Sequence, residues 1–293
     1  MKRKAYAKIN LSLIIKNKIE DGKHYLDSVF HKISLCDEIE IEGNDLDKCI
    51  ISCNIKELES DNLILKAYDM LKEEYEIPGV DVKLFKRIPM QAGLGGGSTD
   101  VATFILMVNQ YFDLKMTFEE LNKLGKSLGS DVVPCYYDYP VLGEGTGNII
   151  TPIVSNLDFN LVVIKPELEC NTGLMYKKLD ELKNREIPDN SNQVIKALED
   201  NNLDLLVNNL FNSFEDVVDC KEIKKDLIDS GALGTLLCGS GSCVFGIYKD
   251  KEVALKASKI LEKKYLTFVC ESVNNKWKNS EGKKGYDIII TVG

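Results

Sequence analysis

Apolar and polar side chains alternate over residues 5–15, with several β-branched residues among them, so this segment reads as a strand rather than a helix. The polar stretch 20–23 reads as a turn, and residues 29–35, 38–41 and 49–53 as further strands. Residues 61–75 change to a helical period: Leu63, Ala67, Met70 and Leu71 share one face, and Asp61 stands where an N-cap is expected. A strand over 80–85 leads into a glycine-rich stretch, and 98–109 and 117–128 read as helices, the second with Glu120 at the reach-back position of a capping box. Strands and helices mix without a strict βαβ rhythm, which points to an α+β fold rather than a doubly wound parallel sheet.

Further along, residues 142–152 are glycine-rich and read as loop, 160–164 as a strand, and 174–182, 192–198 and 203–211 as helices. Residues 235–248 read as two short strands around Cys238-Gly239-Ser240-Gly241, and 251–264 as an amphipathic helix. A boundary near 152–158 gives two domains, 1–154 and 155–293. The lysine-rich stretch 276–284 reads as a solvated loop, with an anion-binding tail as the alternative.

Composition narrows the function. A chain of 293 residues can bury a real core in one large domain or two ordinary ones. The net charge of -9 disfavours nucleic acid as a partner but leaves room for a phosphorylated ligand, which backbone N–H groups can hold inside an acidic protein. Nine scattered cysteines with no C-x-x-C pair suit reduced thiols in a cytoplasmic protein better than a disulfide framework or a zinc site. No apolar run is long enough for a membrane span, and the basic-then-apolar start is interrupted by Lys8 and Asn10, unlike a signal peptide. His24 and His31 are the only histidines, which leaves a histidine-based hydrolase little to work with. Nothing in the pattern specifies an oligomeric state.

The strongest chemical signal is Pro89-Met90-Gln91-Ala92-Gly93-Leu94-Gly95-Gly96-Gly97-Ser98-Thr99. So many glycines carry an entropic cost, which makes sense where backbone must take positive φ or approach a ligand closely. A helix follows at once, so its free N–H groups and the positive end of its dipole point into the loop and favour phosphate. A Walker A loop would place Lys where Gly97 stands. A Rossmann fingerprint begun at Gly93 would need a third glycine at Ser98, and no H-R-D or D-F-G segment supports a protein kinase. Read from the residues alone, Ser98 and Thr99 could touch phosphate or magnesium, or cap the helix. Asp131 is a turn aspartate or a proton acceptor, and Lys8 is an exposed strand lysine or a paired buried one.

At this loop the sequence resembles the galactokinase, homoserine kinase, mevalonate kinase and phosphomevalonate kinase (GHMP) family, and within it most closely the 4-diphosphocytidyl-2-C-methyl-D-erythritol kinases. Ala7-Lys8-Ile9-Asn10-Leu11, Asp61-Asn62-Leu63-Ile64, the glycine loop, Leu128-Gly129-Ser130-Asp131-Val132, Asn212-Ser213-Phe214-Glu215 and Gly239-Ser240-Gly241 match family segments in order, over roughly residues 5–273. The resemblance implies a two-domain fold with the active site in the inter-domain cleft. It also implies magnesium-ATP as phosphoryl donor and a hydroxyl of diphosphocytidyl-methylerythritol as acceptor. By the same resemblance Asp131 is the base and Lys8 its electrostatic partner, and the glycine loop and Asn62 hold ATP. Asn10, His24 and Thr172 contact the acceptor; for Thr172 a helix N-cap is the alternative, and for Asn62 a polar residue at a helix start. The ligands of magnesium are not implied. Two positions depart from the family. Gly22-Lys23-His24 stands where the family has Gly-Tyr-His, whose tyrosine stacks on cytosine, and Val133 stands where it has proline. A GHMP kinase of another substrate, or a nucleotide-binding protein without catalysis, are the competing readings.

Overall fold

The computed structural model describes residues 1–20, 22–168, 170–182, 185 and 187–274, so the lysine-rich stretch 276–284 lies outside the described residues. One sheet is made of β1 (Lys2–Lys18), β2 (His24–Asn44), β3 (Cys49–Cys53), β4 (Gly79–Phe85), β5 (Val141–Glu144), β6 (Ile149–Pro152) and β8 (Phe211–Asn212). The other is made of β7 (Asn160–Lys165), β9 (Gly234–Leu237), β10 (Val244–Tyr248) and β11 (Leu266–Glu271). The first runs β3-β4-β2-β1-β8, with the β5–β6 hairpin on the far end of β2; the second runs β11-β7-β10-β9.

β1 and β2 form the spine, antiparallel along their whole length. Alternation along a strand sends successive side chains to opposite faces. Ala7 and Ile9 therefore face one way, into a core with Val29 and Ile33 of β2 and with Leu161, Val163, Phe245 and Ile247 of the second sheet. Lys8 and Asn10 face the other way and are nevertheless buried. On the outer end of the spine Ile39 and Ile41 pack against α1 (Leu63–Tyr75), α2 (Gly96–Tyr111) and α3 (Phe118–Leu128) through Tyr68, Phe104, Val108 and Leu121. The later helices are α4 (Thr172–Glu181), α5 (Asn190–Glu199), α6 (Leu203–Asn208), α7 (Lys221–Asp229) and α8 (Lys251–Leu261). Ala254, Ala257 and Leu261 of α8 cover the outer face of the second sheet with Val162, Ile164 and Val244. No helix among the described residues is long and apolar enough to cross a membrane.

Several expectations need correction. The strands expected at 29–35 and 38–41 are one continuous β2, because Asp37 at the apparent break is buried and paired. The N-cap of α1 is Asn62, whose side chain accepts from the Ile64 N–H, and not Asp61. The second glycine loop, 142–152, is the β5–β6 hairpin, pinned by β5 pairing with β2 at Ser28–Phe30. The helix expected over 203–211 stops at Asn208, and Phe211–Asn212 instead pairs in parallel with Ser12 and Leu13. α7 and β11 had no expected counterpart. The capping box of α3 is present, with Thr117 and Glu120 bonding reciprocally.

His31 lies on the inner face of β2, edge-on to Phe159 at 5.0 Å, and donates from Nδ1 to the Lys32 carbonyl at 2.8 Å. Burial pushes its pKa from the ordinary 6.5 down to about 4, outweighing the Lys32 carbonyl, Asn274 and Asp158, which all pull upward. Between these two values the unfolded chain binds the proton and the folded chain does not. Stability is therefore expected to fall as pH drops from about 6.5 towards 4, by up to about 3 kcal/mol from this ring. Urea unfolding across this range should show that slope, and the slope should flatten in His31→Gln.

Candidate active site

Lys86, Asp37 and Asp100 anchor both ends of the glycine loop. Lys86 bridges Asp37 of β2 and Asp100 in α2, with all three side chains nearly or fully buried. Asp37 also accepts from the backbone N–H groups of Arg87 and Ile88, where the chain enters the loop. Burial raises the Asp100 carboxyl to about 8; Lys86 pulls it down, and neighbouring Asp37 pushes it further up. The two acids thus compete for one buried ammonium. The Lys86 ammonium is itself shifted upward: burial acts against the charge, but the two acids more than offset it.

The middle of the loop is held by a second turn. Gly93 has φ +74°, and a Cβ there would lie 1.8 Å from the Cys238 carbonyl oxygen, so only glycine lets the two backbones touch. The Cys243 N–H donates to the Ala92 carbonyl at 3.2 Å. Asn212 holds the second turn in place, donating to the carbonyls of Leu237 at 2.8 Å and Gly239 at 2.7 Å. Glu215 accepts from the Leu237 N–H and pairs with Lys224. Pro89 is half-buried, Met90 and Gln91 are exposed, and Leu94 is buried beneath the loop. Gly95 caps α2 in the left-handed region, φ 67°, so the first N–H groups of α2, at Gly96, Gly97 and Ser98, have no partner within the helix. α1 begins beside the loop: a Cβ on Gly97 would come within 3.9 Å of Leu63.

Lys8 passes directly under this turn. Its N–H donates to the Leu94 carbonyl at 3.0 Å, and a Cβ on Gly95 would meet its side chain at 2.8 Å. Its ammonium is 3.1 Å from Asp131 and donates to Asn10 at 3.0 Å, over the Phe30 ring. The Asp131 side chain is 40% exposed, against 4% for Lys8, so the carboxylate is the member of the pair open to solvent. Asn10 in turn donates to Ser28 at 2.7 Å. The structure thus gathers Lys8, Asn10, Asp131 and the glycine loop in one place.

The remaining candidates lie around it. Thr99 faces inward and donates to the Tyr6 carbonyl at 2.8 Å. The Asn62 amide is used at both ends, as the α1 cap and as a donor to the Leu58 carbonyl. Asn171, not Thr172, caps α4; the Thr172 hydroxyl instead meets Ser240 of the second turn at 2.7 Å. His24 pairs with Asp180 of α4 at 2.5 Å and stacks on Tyr176 at 4.8 Å. Burial, and after it the Asp131 charge, push the Tyr176 phenol up to about 12. Sequence reasoning gave no role to Tyr176, Asn212 or the Asp37–Lys86–Asp100 cluster. A buried Asp and Lys interrupting apolar strands were the available signal.

The chain is similar to kinases of one family. The GHMP kinase N-terminal domain matches residues 62–139 and the GHMP kinase C-terminal domain residues 194–266. The 4-diphosphocytidyl-2-C-methyl-D-erythritol kinase of Thermoanaerobacter pseudethanolicus is 37% identical over 271 residues, covering 90% of this chain and 93% of that protein. That of Clostridium tetani is 38% identical over 273 residues, covering 90% and 97%. A crystal structure of a 4-(cytidine 5'-diphospho)-2C-methyl-D-erythritol kinase superposes with TM-score 0.80 at 27% identity, covering 94% of this chain and all of the other. The Leishmania major mevalonate kinase shares the fold with TM-score 0.75 at 16% identity, over 94% and 96% of the two chains.

Gly93→Ala should displace the loop from the second turn. The expected result is a loss of more than about 1 kcal/mol of stability together with at least tenfold weaker nucleotide binding, read by thermal melting and titration calorimetry.

Proposed function

The chain belongs to the GHMP kinase family, and from that premise we propose that it transfers the γ-phosphoryl group of ATP to a hydroxyl of 4-diphosphocytidyl-2-C-methyl-D-erythritol, in isoprenoid precursor biosynthesis. The observation that carries the reading is the solvent-open Asp131 held at 3.1 Å by buried Lys8, at the mouth of a loop whose helix N–H groups are free for phosphate. Phosphoryl transfer depends mostly on positioning and on neutralising charge. The N–H groups of Gly96, Gly97 and Ser98 bind the phosphate oxygens. The acceptor hydroxyl attacks the γ-phosphorus, its proton passes to Asp131, the bond to the β-phosphate oxygen breaks and ADP leaves. Lys8, 3.1 Å from Asp131, is its electrostatic partner, and Asn10 fixes the Lys8 ammonium. The Pro89–Thr99 segment and Asn62 make up the ATP side of the proposal.

The acceptor end favours a long substrate. From Phe30, under the Lys8 ammonium, to His24 is six residues of strand, roughly 20 Å at the usual rise. Half-buried Tyr176, stacked on the buried His24 ring, is an aromatic group at that end, and Thr172 lies one turn before it on α4. On this reading Tyr176 supplies the ring that is absent at Lys23. That span suits a nucleoside diphosphate joined to a polyol, the kind of acceptor that the structural relative's name describes.

Magnesium would enter on the ATP phosphates. No cluster of three potential ligands occurs among the described residues. An ion that keeps its waters and binds phosphate needs only one or two protein oxygens, and the Ser98 hydroxyl in the first turn of α2 would be one. When bound it would neutralise the phosphate oxygens. The nine free cysteines support a cytoplasmic location. Division at 154/155 is also part of the proposal. It is supported by the sheets: except for β8, the first sheet uses only residues before 153, and the second only residues from 160 on.

ADP release should be strongly stimulated by diphosphocytidyl-methylerythritol. ATP turnover on other hydroxyl acceptors but not on this one would move the reading to a different GHMP substrate. In Asp131→Asn, kcat should fall by about 10²–10⁴ with ATP affinity retained, as measured by coupled ADP release and calorimetry. Near-normal turnover would remove Asp131 from its assigned role.

A further inference from the structure

Three buried lysines lie near the glycine loop, and they differ in what compensates them. Lys86 has two acids and Lys8 has one. Lys32 is only 3% exposed, and among the described residues its partners are two uncharged oxygens. It donates to the Tyr6 carbonyl at 3.1 Å and to the Thr99 hydroxyl at 2.7 Å. A buried ammonium without a carboxylate is expensive.

Its position makes the cost larger. Lys32 of β2 stands directly opposite Lys8 of β1 in the register, so both side chains rise from the same face of the sheet. Like charges directly opposed in a sheet repel. Thr99, which receives the Lys32 ammonium, lies in the first turn of α2, where the helix dipole is also positive. Two ammonium groups and a helix N-terminus thus converge, and among the described residues Asp131, on Lys8, is the one carboxylate in an ion pair with either ammonium. Among those residues no carboxylate balances Lys32, and a triphosphate would supply the missing negative charge.

We propose that Lys32 is an electrostatic positioning residue of the phosphate site, acting through Thr99 and the first turn of α2 and completing its charge balance only when ATP is bound. The inference rests on reading the glycine loop as the ATP site, though not on the identity of the acceptor. At an effective dielectric of about 20, a unit charge roughly 8–12 Å from a phosphate is worth roughly ten- to thirtyfold in affinity.

The test compares Lys32→Gln, Lys32→Met and Lys32→Arg in the full chain, by titration with magnesium-ATP and by melting of the free protein. Glutamine keeps a donor for Tyr6 and Thr99 but removes the charge, methionine removes both, and arginine keeps the charge. The expected result is at least tenfold weaker ATP binding in Lys32→Gln and Lys32→Met, with Lys32→Arg within about threefold of the parent. The melting temperature of unliganded Lys32→Gln should be no lower than that of the parent, because a burdensome charge is gone. ATP binding by Lys32→Gln as tight as the parent's would overturn the proposal. So would a loss in Lys32→Arg equal to that in Lys32→Gln, which would make the role one of shape. If the methionine variant does not fold, the glutamine and arginine variants decide. Failure of the parent to bind ATP would instead overturn the nucleotide reading of the loop.

Discussion

β1 and β2 are buried on both faces, and the site exists because of it. Ordinary antiparallel strands leave one face in water and can put their polar residues there. Here the inner face is taken by the second sheet, through Ala7, Ile9, Val29 and Ile33. The polar side chains of the alternate positions are then forced into the space beneath the glycine loop. Lys8, Asn10 and Lys32 are buried because the helix-loop layer covers them, and on the proposed function they are polar because that layer would bind phosphate. A leucine at position 8 would suit the packing of the strand and remove the chemistry.

That burial sets the requirement for charge. Each ammonium taken out of water has to find a counter-charge or a dense set of acceptors. The Asp37–Lys86–Asp100 cluster meets it internally, with two acids on one ammonium and burial pushing the Asp100 carboxyl up. This cluster works as a fastener: it ties the entry of the loop at Arg87 and Ile88 to β2 and the exit at Asp100 to α2. The loop between is thereby fixed at both ends and, through Gly93 on Cys238, in the middle. On the proposed function, a phosphate arriving there would meet N–H groups already aimed, which leaves little ordering to do on binding.

Local pattern made the elements with one clear period legible. The strand read at 49–53 and the capping box of α3 came out as read, because alternation and the Thr117–Glu120 spacing are local facts. What local pattern missed depends on partners far along the chain. Asp37 looked like a break between two strands, since a carboxylate in a strand interior is costly; Lys86 and two backbone N–H groups some fifty residues away make it tolerable. The segment 142–152 looked like a loop because of its glycines, but Gly143 is a packing residue: a Cβ there would sit 2.7 Å from the Phe30 ring. Asn212 was visible as part of a family segment, yet its job of holding the second glycine turn requires β8 to lie beside β1.

The site was legible to a different degree at its two ends. The phosphate end is written in consecutive residues, because a loop and the helix after it are one piece of chain. At the acceptor end His24 comes from β2, while Tyr176, Asp180 and Thr172 come from α4, roughly 150 residues later. A position-by-position reading sees Lys23 where a ring is expected and registers a loss. The fold places Tyr176 on His24 instead, with Phe214 edge-on behind it at 4.9 Å. An aromatic surface is a requirement on space and not on sequence position, so any element that reaches the cleft can supply it. The change at Lys23 therefore weighs less against a nucleobase-bearing acceptor than the sequence alone implies.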